Sequence, residues 1–553
     1  MRRRPLRTDA CFPPDELASW VAVRRYAVPA WMIEKSAARR EAGDWRGACE
    51  AANVDVEFDL AKVAAEHGEE TARALEADLL ELAPDLLRWH LPRILHGHSA
   101  LSTDRTFLLS GTDPWLQVRT RTIVSGTQRL RLLFDSADDA TNLDDWTDAR
   151  HLWSAPGSAG LRERIGGTPF LRADGTAETT GSLAERVILA QEDGRTEEAW
   201  ELAGVTLDRT VDRSSRYVSD LGKVLQGEPI NIPVLADEIR RAGRKKAWLK
   251  LHWATAVELR LLDDGGMSVA AASADRMKRR RALPEALFRR LPDLDLLRHG
   301  AIGVAELHPL VVASLFPGYD GPVTGPPGPG TPAAVRVRCK EGAWHEMRGG
   351  VATAHAAEER RREQALKALG GKVTGCFAVE EHWRGQEGRL PRGLRAQRKE
   401  LFARAQHGDE AGVLALLEAG LDPRARDGRD RTLLHYLPCV NHTELLPLLL
   451  KAGVDLEAND QEGRTPLLFA VGHAGPEALV RALIDAGART DCTDDSGRSL
   501  RHLVRLMKRY ELRFLYDQVS DDIGEDWYGE YYDEDDDYDW DSPEEQDERG
   551  PGA

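Results

Sequence analysis

Cys339 and His345 stand six residues apart, a spacing that a β turn could close. A thiol beside an imidazole is the core of a nucleophile–base pair. The sequence offers no third group to orient the imidazole, so the pair alone predicts no catalysis. His96 and His98 flank a glycine and present two imidazoles. No cysteine or carboxylate cluster lies near them in sequence, and a surface loop is the better expectation than a metal centre. The run Leu369-Gly-Gly-Lys-Val-Thr-Gly375 approaches a phosphate loop. It lacks the first glycine spacing and has no Ser or Thr directly after the lysine. His252, Glu258 and His308 would suggest an active site only if the fold joined them in one deep polar pocket. No GxSxG, HExxH or GxGxxG pattern is convincing. Catalytic, cofactor-binding and metal residues are therefore expected to be none, and the reading leans away from an enzyme.

Bulk properties bound the answer. At 553 residues the chain suggests about three or four domains of roughly 150 residues each. With 42% hydrophobic and 30% charged residues it has ample material for buried cores. The net charge of -17 is uneven: residues 521–549 carry 16 acidic residues and one basic, a net of -15. The remainder of the chain therefore sums to about -2, and the acidity belongs to a tail. The six cysteines form no CxxC pair, so no disulfide framework is expected. The N-terminus Met1-Arg-Arg-Arg-Pro runs into Cys11-Phe-Pro-Pro without an apolar stretch, unlike a secretory signal. No apolar run approaches the ~20 residues of a membrane span. A cytoplasmic location with no membrane partner is the expectation. Arginine outnumbers lysine 62 to 13, which suggests GC-rich coding and a bacterial source.

Periodicity divides the chain. Phe58, Leu60 and Val63, then Leu75, Leu79, Leu82 and Leu86, recur at helical spacing, so residues 1–100 read as a helical segment. Residues 101–316 read as a mixed α+β body. Strands are expected at 106–109, 115–124 and 129–134, and the Leu-Gln-Val-Arg alternation at 116–119 fits a sheet with one wet face. A strand pair is expected at 247–253 and 256–262. Residues 317–333 are dense in Pro and Gly and read as a linker. A strand–helix segment follows at 334–393. Three distant segments, starting at Ala42, Asp193 and His407, each place Gly and a charged residue before an apolar helix. They fit either a helical-hairpin repeat or generic helix–turn–helix chemistry.

The C-terminal third keeps a fixed period. Ala-Gly falls at 419–420, 452–453 and 486–487, spacings of 33 and 34. Asp427, Asp460 and Asp494 share those spacings, as do Thr432, Thr465 and Ser499. Three markers in phase signify a stacked array. The threonines can cap helices, Pro466 suits a first helical position, and Gly453 and Gly487 allow left-handed helix stops. Pro438 and an apparent insertion at Ala474 put local helix geometry in doubt.

Asp460-Gln-Glu-Gly-Arg-Thr-Pro-Leu-Leu-Phe-Ala resembles the ankyrin-repeat signature, and Asp427-Gly-Arg-Asp-Arg-Thr-Leu-Leu-His-Tyr resembles it with Leu433 in place of proline. The resemblance implies an all-α ankyrin solenoid over 394–519. Four units are expected, about 396–426, 427–459, 460–493 and 494–519, the outer two serving as polar caps. It also implies binding of another protein through the concave face and hairpin tips. The matching concave positions are Gln406, His407, Tyr436, Val440, Phe469, His473, Leu503 and Met507. The basic tip holds Arg424, Arg426, Arg429 and Arg431. His435 is expected to be structural.

Residues 520–553 read as a disordered acidic tail in which Trp527, Tyr528, Tyr531, Tyr532, Tyr538 and Trp540 are interleaved. Plain acidic disorder is poor in aromatics, so the tail could dock on a basic protein surface. Basic clusters at 240–246 and 276–281 raise nucleic-acid contact, which the near-neutral body disfavours. The leading expectation is a scaffold or adaptor that binds a partner protein. Its rivals are an enzyme or effector in the N-terminal body that the array targets, and a nucleic-acid-associated protein.

Overall fold

The computed structural model describes residues 13–95, 99–121, 126–137, 142–209, 220–251, 255–273, 282–339, 342–385 and 388–518. Proline starts the first helix, α1 (Pro14–Tyr26), with Asp15 and Glu16 in its first turn and Arg24 and Arg25 in its last, as the helix dipole favours. After Pro29 come α2 (Ala30–Glu41) and α3 (Trp45–Ala51). Gly43 takes φ 75° between them, and Asp44 accepts from the Gly47 N–H at 2.8 Å, capping α3. Next are β1 (Val54–Val56), α4 (Leu60–His67), α5 (Glu69–Glu81) and α6 (Pro84–His90). Leu75, Leu79, Leu82 and Leu86 are all buried, but not on one helix as their spacing predicts: α5 ends at Glu81 and Leu86 lies on α6, after Pro84.

The first sheet contains β2 (Thr106–Gly111), β3 (Trp115–Arg119), β4 (Leu130–Asp135) and β5 (Leu143–Asp145). Its order is β1-β4-β3-β2-β5, with β2, β3 and β4 an antiparallel meander and β1 parallel to β4. One expectation needs correction. Gln117 of β3 is fully buried beside Leu108 of β2, so this central strand is covered on both faces. Alternation reports the period of a strand and is silent on how many of its faces are covered.

After α7 (Leu161–Arg164) the plan recurs. A second helical hairpin, α8 (Leu183–Glu192) and α9 (Thr196–Leu202), turns at Gly194 with φ 74° and leads to β6 (Val205–Asp208). Two helices follow, α10 (Leu221–Leu225) and α11 (Leu235–Arg241). A meander of β7 (Lys246–Lys250), β8 (Thr255–Leu261) and β9 (Met267–Ser273) completes the unit. This sheet has the order β6-β9-β8-β7, with β6 parallel to β9. It repeats the β1-β4-β3-β2 order of the first. The segments starting at Ala42 and Asp193 thus occupy equivalent places in two units of one topology.

Three helices, α12 (Glu285–Phe288), α13 (Pro292–Arg298) and α14 (Pro309–Leu315), follow. Their Leu296, Val311 and Leu315 join the first core. Arg24 of α1 forms a buried ion pair with Asp293 of α13 at 2.8 Å. Residues 317–333 hold no helix or strand. They are tied to the body, since the Thr324 and Gly325 N–H groups both donate to the Ala305 carbonyl, at 2.9 and 3.0 Å.

Beyond that stretch, β10 (Val335–Arg338), β11 (Trp344–Arg348) and β12 (Val351–Ala352) make an antiparallel sheet. Next come α15 (Ala357–Ala368) and α16 (Gly375–Trp383). Val337, Met347, Val379 and Trp383 share one core with the leucines of the C-terminal array. Trp383 Nε1 donates to the Asp422 carbonyl at 3.0 Å, and the Asp422 N–H to the Gly349 carbonyl at 2.8 Å. The array itself is a run of helical pairs. They are α17 (Arg392–His407) with α18 (Glu410–Glu418), a 3-10 helix Leu433–Cys439 with α19 (His442–Lys451), α20 (Pro466–Gly472) with α21 (Glu477–Asp485), and α22 (Leu500–Leu506) with a 3-10 helix Tyr510–Gln518. Pro438 lies inside the 3-10 helix of the second pair. Ala474 sits at φ 58°, the left-handed region where its one-residue insertion is absorbed.

Candidate functional site

The in-phase aspartates build the array's turns. One carboxylate oxygen each of Asp427, Asp460 and Asp494 accepts from the N–H groups two and four residues on, at 2.8–3.0 Å. Successive turns then pair, the Gln461 N–H donating to the Arg429 carbonyl and the Asp495 N–H to the Glu462 carbonyl, both at 3.0 Å. Burial raises the Asp460 carboxyl, but bonds from Arg464 and from backbone N–H groups outweigh that and hold it at about 2. Thr465 and Ser499 cap their helices as expected. His435 bridges repeats: Nδ1 meets Thr432 at 3.1 Å and Nε2 meets the Arg464 carbonyl at 3.0 Å. Its burial pushes it down to about 4.

The positions expected on the concave face fall into two groups, and four of them, His407, Tyr436, Phe469 and Leu503, are buried rather than open to a partner. His407 is fully buried, with Nε2 2.7 Å from Ser99 Oγ. Tyr436 is buried, and its hydroxyl donates to Asp427 at 2.7 Å. Phe469 is buried between the Arg431 and Arg464 guanidiniums and stacks on His473, ring centroids 3.8 Å apart. Leu503 is buried in the array core. Gln406 lines a shallow groove between α1 and α17. Val440, His473 and Met507 line a larger one. In the basic tip, Arg424 pairs with Asp422 and Arg431 with Asp460. Arg426 donates to the carbonyls of Asp430 and Asn459, while Arg429 is exposed.

The array's first unit docks on the N-terminal body. Trp31 Nε1 of α2 donates to Asp409 Oδ1 at 2.8 Å, the same oxygen that caps α18 by accepting from the Gly412 N–H at 2.9 Å. The other oxygen of Asp409 binds Arg404, whose guanidinium lies over the Tyr26 ring. The Cys439 thiol meets the Gly126 carbonyl at 3.5 Å. Beside this junction lies a groove of about 1120 Å³ lined by both parts. Body residues Lys35, Arg39, Arg121, Arg129 and Arg131 face it, as do Val440, His473, Met507 and Lys508 of the array. Asp55 holds Arg121 at 3.0 Å and Arg129 at 2.7 Å, one carboxylate between two cations. The lining carries seven basic and five acidic side chains, a small basic excess, while Arg39 and Arg131 also pair with Asp44 and Glu57 outside the lining.

A second cleft, of about 580 Å³, lies in the body and is lined by Trp20, Arg24, His90, Arg93, Glu285 and Arg290 among others. Arg93 is 7% exposed and donates from Nη2 to the Arg88 carbonyl, but its Nε and Nη1, and Nε2 of His90, have no hydrogen-bond partner among the described residues. Burial and the neighbouring Arg88 and Arg24 push Arg93 well down; burial and neighbouring cations do the same to His90.

The remaining sequence candidates separate. Glu258 pairs with Lys246 and Arg260 on the second sheet, while His308 is buried in the first core 3.0 Å from Asp85. His252, His96, His98, the 276–281 cluster and the acidic tail lie outside the described residues. In the 240–246 cluster, Arg240, Arg241, Lys245 and Lys246 each pair with a carboxylate. Leu369-Gly-Gly-Lys-Val-Thr-Gly375 joins α15 to α16. Cys339 and His345 do come together, and sequence reasoning missed the two residues that join them, His355 and Cys376. The only signal was the residue types, because their spacings of nine and twenty intervening residues fit no familiar ligand pattern. Burial and Cys339 push the Cys376 thiol up to about 12, unlike an activated nucleophile. No helix among the described residues is long and apolar enough to cross a membrane.

Paired short helices joined by aspartate-anchored turns at a 33–34-residue period define an ankyrin array, and residues 401–494 match the family model for ankyrin repeats, in three copies. The chain is 38% identical over 89 residues to the human transient receptor potential cation channel subfamily A member 1, covering 16% of this chain and 8% of that protein. It is 33% identical over 93 residues to the E3 ubiquitin-protein ligase KEG of Arabidopsis thaliana, 17% of this chain and 6% of the ligase. It is 33% identical over 116 residues to the human neurogenic locus notch homolog protein 2, 21% of this chain and 5% of that protein. The matched stretch thus spans less than a tenth of each of these relatives.

Proposed function

We propose that the chain is an adaptor or scaffold that binds a partner protein in the groove formed jointly by the ankyrin array and the N-terminal body. The observation that carries this is the groove itself, about 1120 Å³, onto which Val440, His473 and Met507 open from the array beside the arginines of the body. Ankyrin repeats in general bind proteins, and concave surfaces of mixed apolar and charged lining suit that use. The excess of basic lining selects an acidic partner segment. Free thiols at Cys49, Cys339, Cys376, Cys439 and Cys492 support a cytoplasmic setting.

A photo-crosslinking residue placed at Lys508 on the array side or Arg39 on the body side of the full-length chain is expected to capture the same protein in cells. The same probe at Leu189, exposed and outside the groove lining, is expected to capture none. Adducts of equal yield at all three sites, or different proteins at the first two, count against the joint groove.

The rival reading, in which the body acts on a small molecule and the array targets it, is favoured by the 580 Å³ cleft with its buried, incompletely bonded Arg93. A desolvated guanidinium crowded by other cations is relieved by an anion. On this reading inorganic phosphate or pyrophosphate raises the thermal midpoint of the wild-type chain and has no effect on Arg93→Met. Equal shifts in both proteins, or none in either, remove its support.

A further inference from the structure

Four side chains from four separate places in the chain converge beside the array. Cys339 directly follows β10, His345 lies on β11, His355 precedes α15, and Cys376 is in the first turn of α16. One ligand-capable atom of each lies within 4.8 Å of all the others. Cys339 Sγ is 3.5 Å from His355 Nε2, and Cys376 Sγ is 3.6 Å from His345 Nδ1. The two imidazole nitrogens, His345 Nδ1 and His355 Nε2, face each other at 3.0 Å.

We propose that Cys339, His345, His355 and Cys376 bind one zinc ion, which braces the small sheet and the starts of α15 and α16 against the first ankyrin unit. A tetrahedral zinc with Zn–S of about 2.3 Å and Zn–N of about 2.0–2.1 Å sets S and N ligands about 3.6 Å apart, and two N ligands about 3.4 Å apart. The sulfur–nitrogen separations match that figure, and the two nitrogens sit slightly closer than it. Two thiolates with two imidazoles form a set that selects zinc among common divalent ions. The two sulfurs and two nitrogens fill four positions, which makes the site structural rather than catalytic.

The surroundings fit the same chemistry. His355 offers Nε2 to the centre while its Nδ1 lies 3.1 Å from Glu359 Oε2. With Nε2 on a metal, Nδ1 carries the proton and donates it to the carboxylate, the arrangement that fixes ring orientation and tautomer at zinc centres. Glu359 is itself anchored, accepting from the Ala356 N–H at 3.1 Å. Phe377 lies against the His355 ring with centroids 4.5 Å apart, limiting its rotation. Without a cation, four side chains that can each offer an electron pair face one another in a small volume. With one, each thiol loses its proton to solvent on binding, and one zinc ion takes four electron pairs. Cys376 is fully buried, and Met347 and Trp383 of the surrounding elements belong to the array core, so the brace supports the edge where the array begins.

The full-length chain, purified under reducing conditions and supplied with zinc, is expected to retain about one zinc per chain after desalting. Cys339→Ser and His355→Ala are expected to lose it, while Cys492→Ser, distant in the last inter-repeat turn, keeps it. Cobalt substitution is expected to give the absorption bands of tetrahedral Co(II) with thiolate ligands, absent in Cys339→Ser. Because loss of a ligand can resemble misfolding, Glu359→Gln is the second variant. It keeps all four ligands and is expected to weaken zinc in chelator competition about ten- to hundred-fold, with the circular dichroism of the array unchanged. Wild-type protein that holds well under one zinc, Cys339→Ser that holds as much as wild type, or a Cys339–Cys376 disulfide in place of metal would overturn the proposal.

Discussion

Asp409→Ala is expected to lower the stability of the chain by about 3–5 kcal/mol, the usual cost of removing one partner of a buried charged network. Asp409 is 1% exposed and serves three groups at once: the Trp31 indole, the Gly412 N–H that starts α18, and the Arg404 guanidinium. Its loss leaves Arg404, itself 2% exposed, with only Glu400 as an anionic partner among its described ion pairs. The indole bond joins the body to the array, so the damage should not stay within one repeat. Hydrogen exchange over α2 and over α17–α18 is expected to rise together in the variant. Glu400→Gln, at the more exposed end of the same network, is expected to cost about 1 kcal/mol or less. Equal stability of Asp409→Ala and wild type in chemical denaturation would show that the junction is not held as described.

The second large effect is acid sensitivity. Burial pushes His435 down to about 4, and His473 and His151 down to about 3; His90 and His407 are also held well below their ordinary range. Each is neutral when folded and gains a proton on unfolding below its ordinary value of about 6.5. The unfolded chain therefore binds more protons in this range, and stability falls as pH falls. The contribution is complete above about pH 6.5 and is lost progressively toward the folded values. His435 alone accounts for about 3 kcal/mol between pH 6.5 and 4, at about 1.4 kcal/mol per unit. Asp460, held at about 2, acts only below pH 4, in a separate window. Asp144 and Asp295, which burial pushes up, act in the opposite sense and offset part of the loss. Denaturant midpoints are expected to drop steadily from pH 7 to pH 4.5, with a shallower slope in His435→Gln. A flat profile over that range contradicts the buried neutral histidines.

What the sequence reveals depends on how local its causes are. The array was legible because its turns are made within five residues, by Asp427, Asp460 and Asp494 binding their own following N–H groups. Strands β2, β3, β4, β7 and β8 declared themselves as short apolar or alternating runs between turn residues. The alanine-rich β9 and the short β6 did not, because their place is fixed by pairing with each other across the chain. The burial of the residues expected on the concave face was not legible. His407 is covered by Ser99, some 308 residues away, and Phe469 by the arginines of the turns. The cluster around Cys339 was half visible. Cys339 and His345 are brought together by the local pairing of β10 with β11, whereas His355 and Cys376 arrive through the packing of α15 and α16.

The body and the array meet in more than a linker, through Trp31 and Asp409, and the proposed acidic partner lies in the groove that both line. Two charge reversals separate this from binding by the array alone. With the partner captured at Lys508 in hand, its affinity for the full-length chain is compared with that for Arg39→Glu and for Lys508→Glu. Each reversal is expected to weaken binding by about tenfold, roughly 1.4 kcal/mol, mostly through slower association that depends less on salt than in the wild type. Loss of binding in Lys508→Glu with wild-type affinity in Arg39→Glu would contradict the shared groove and leave the ankyrin array as the whole of the binding surface.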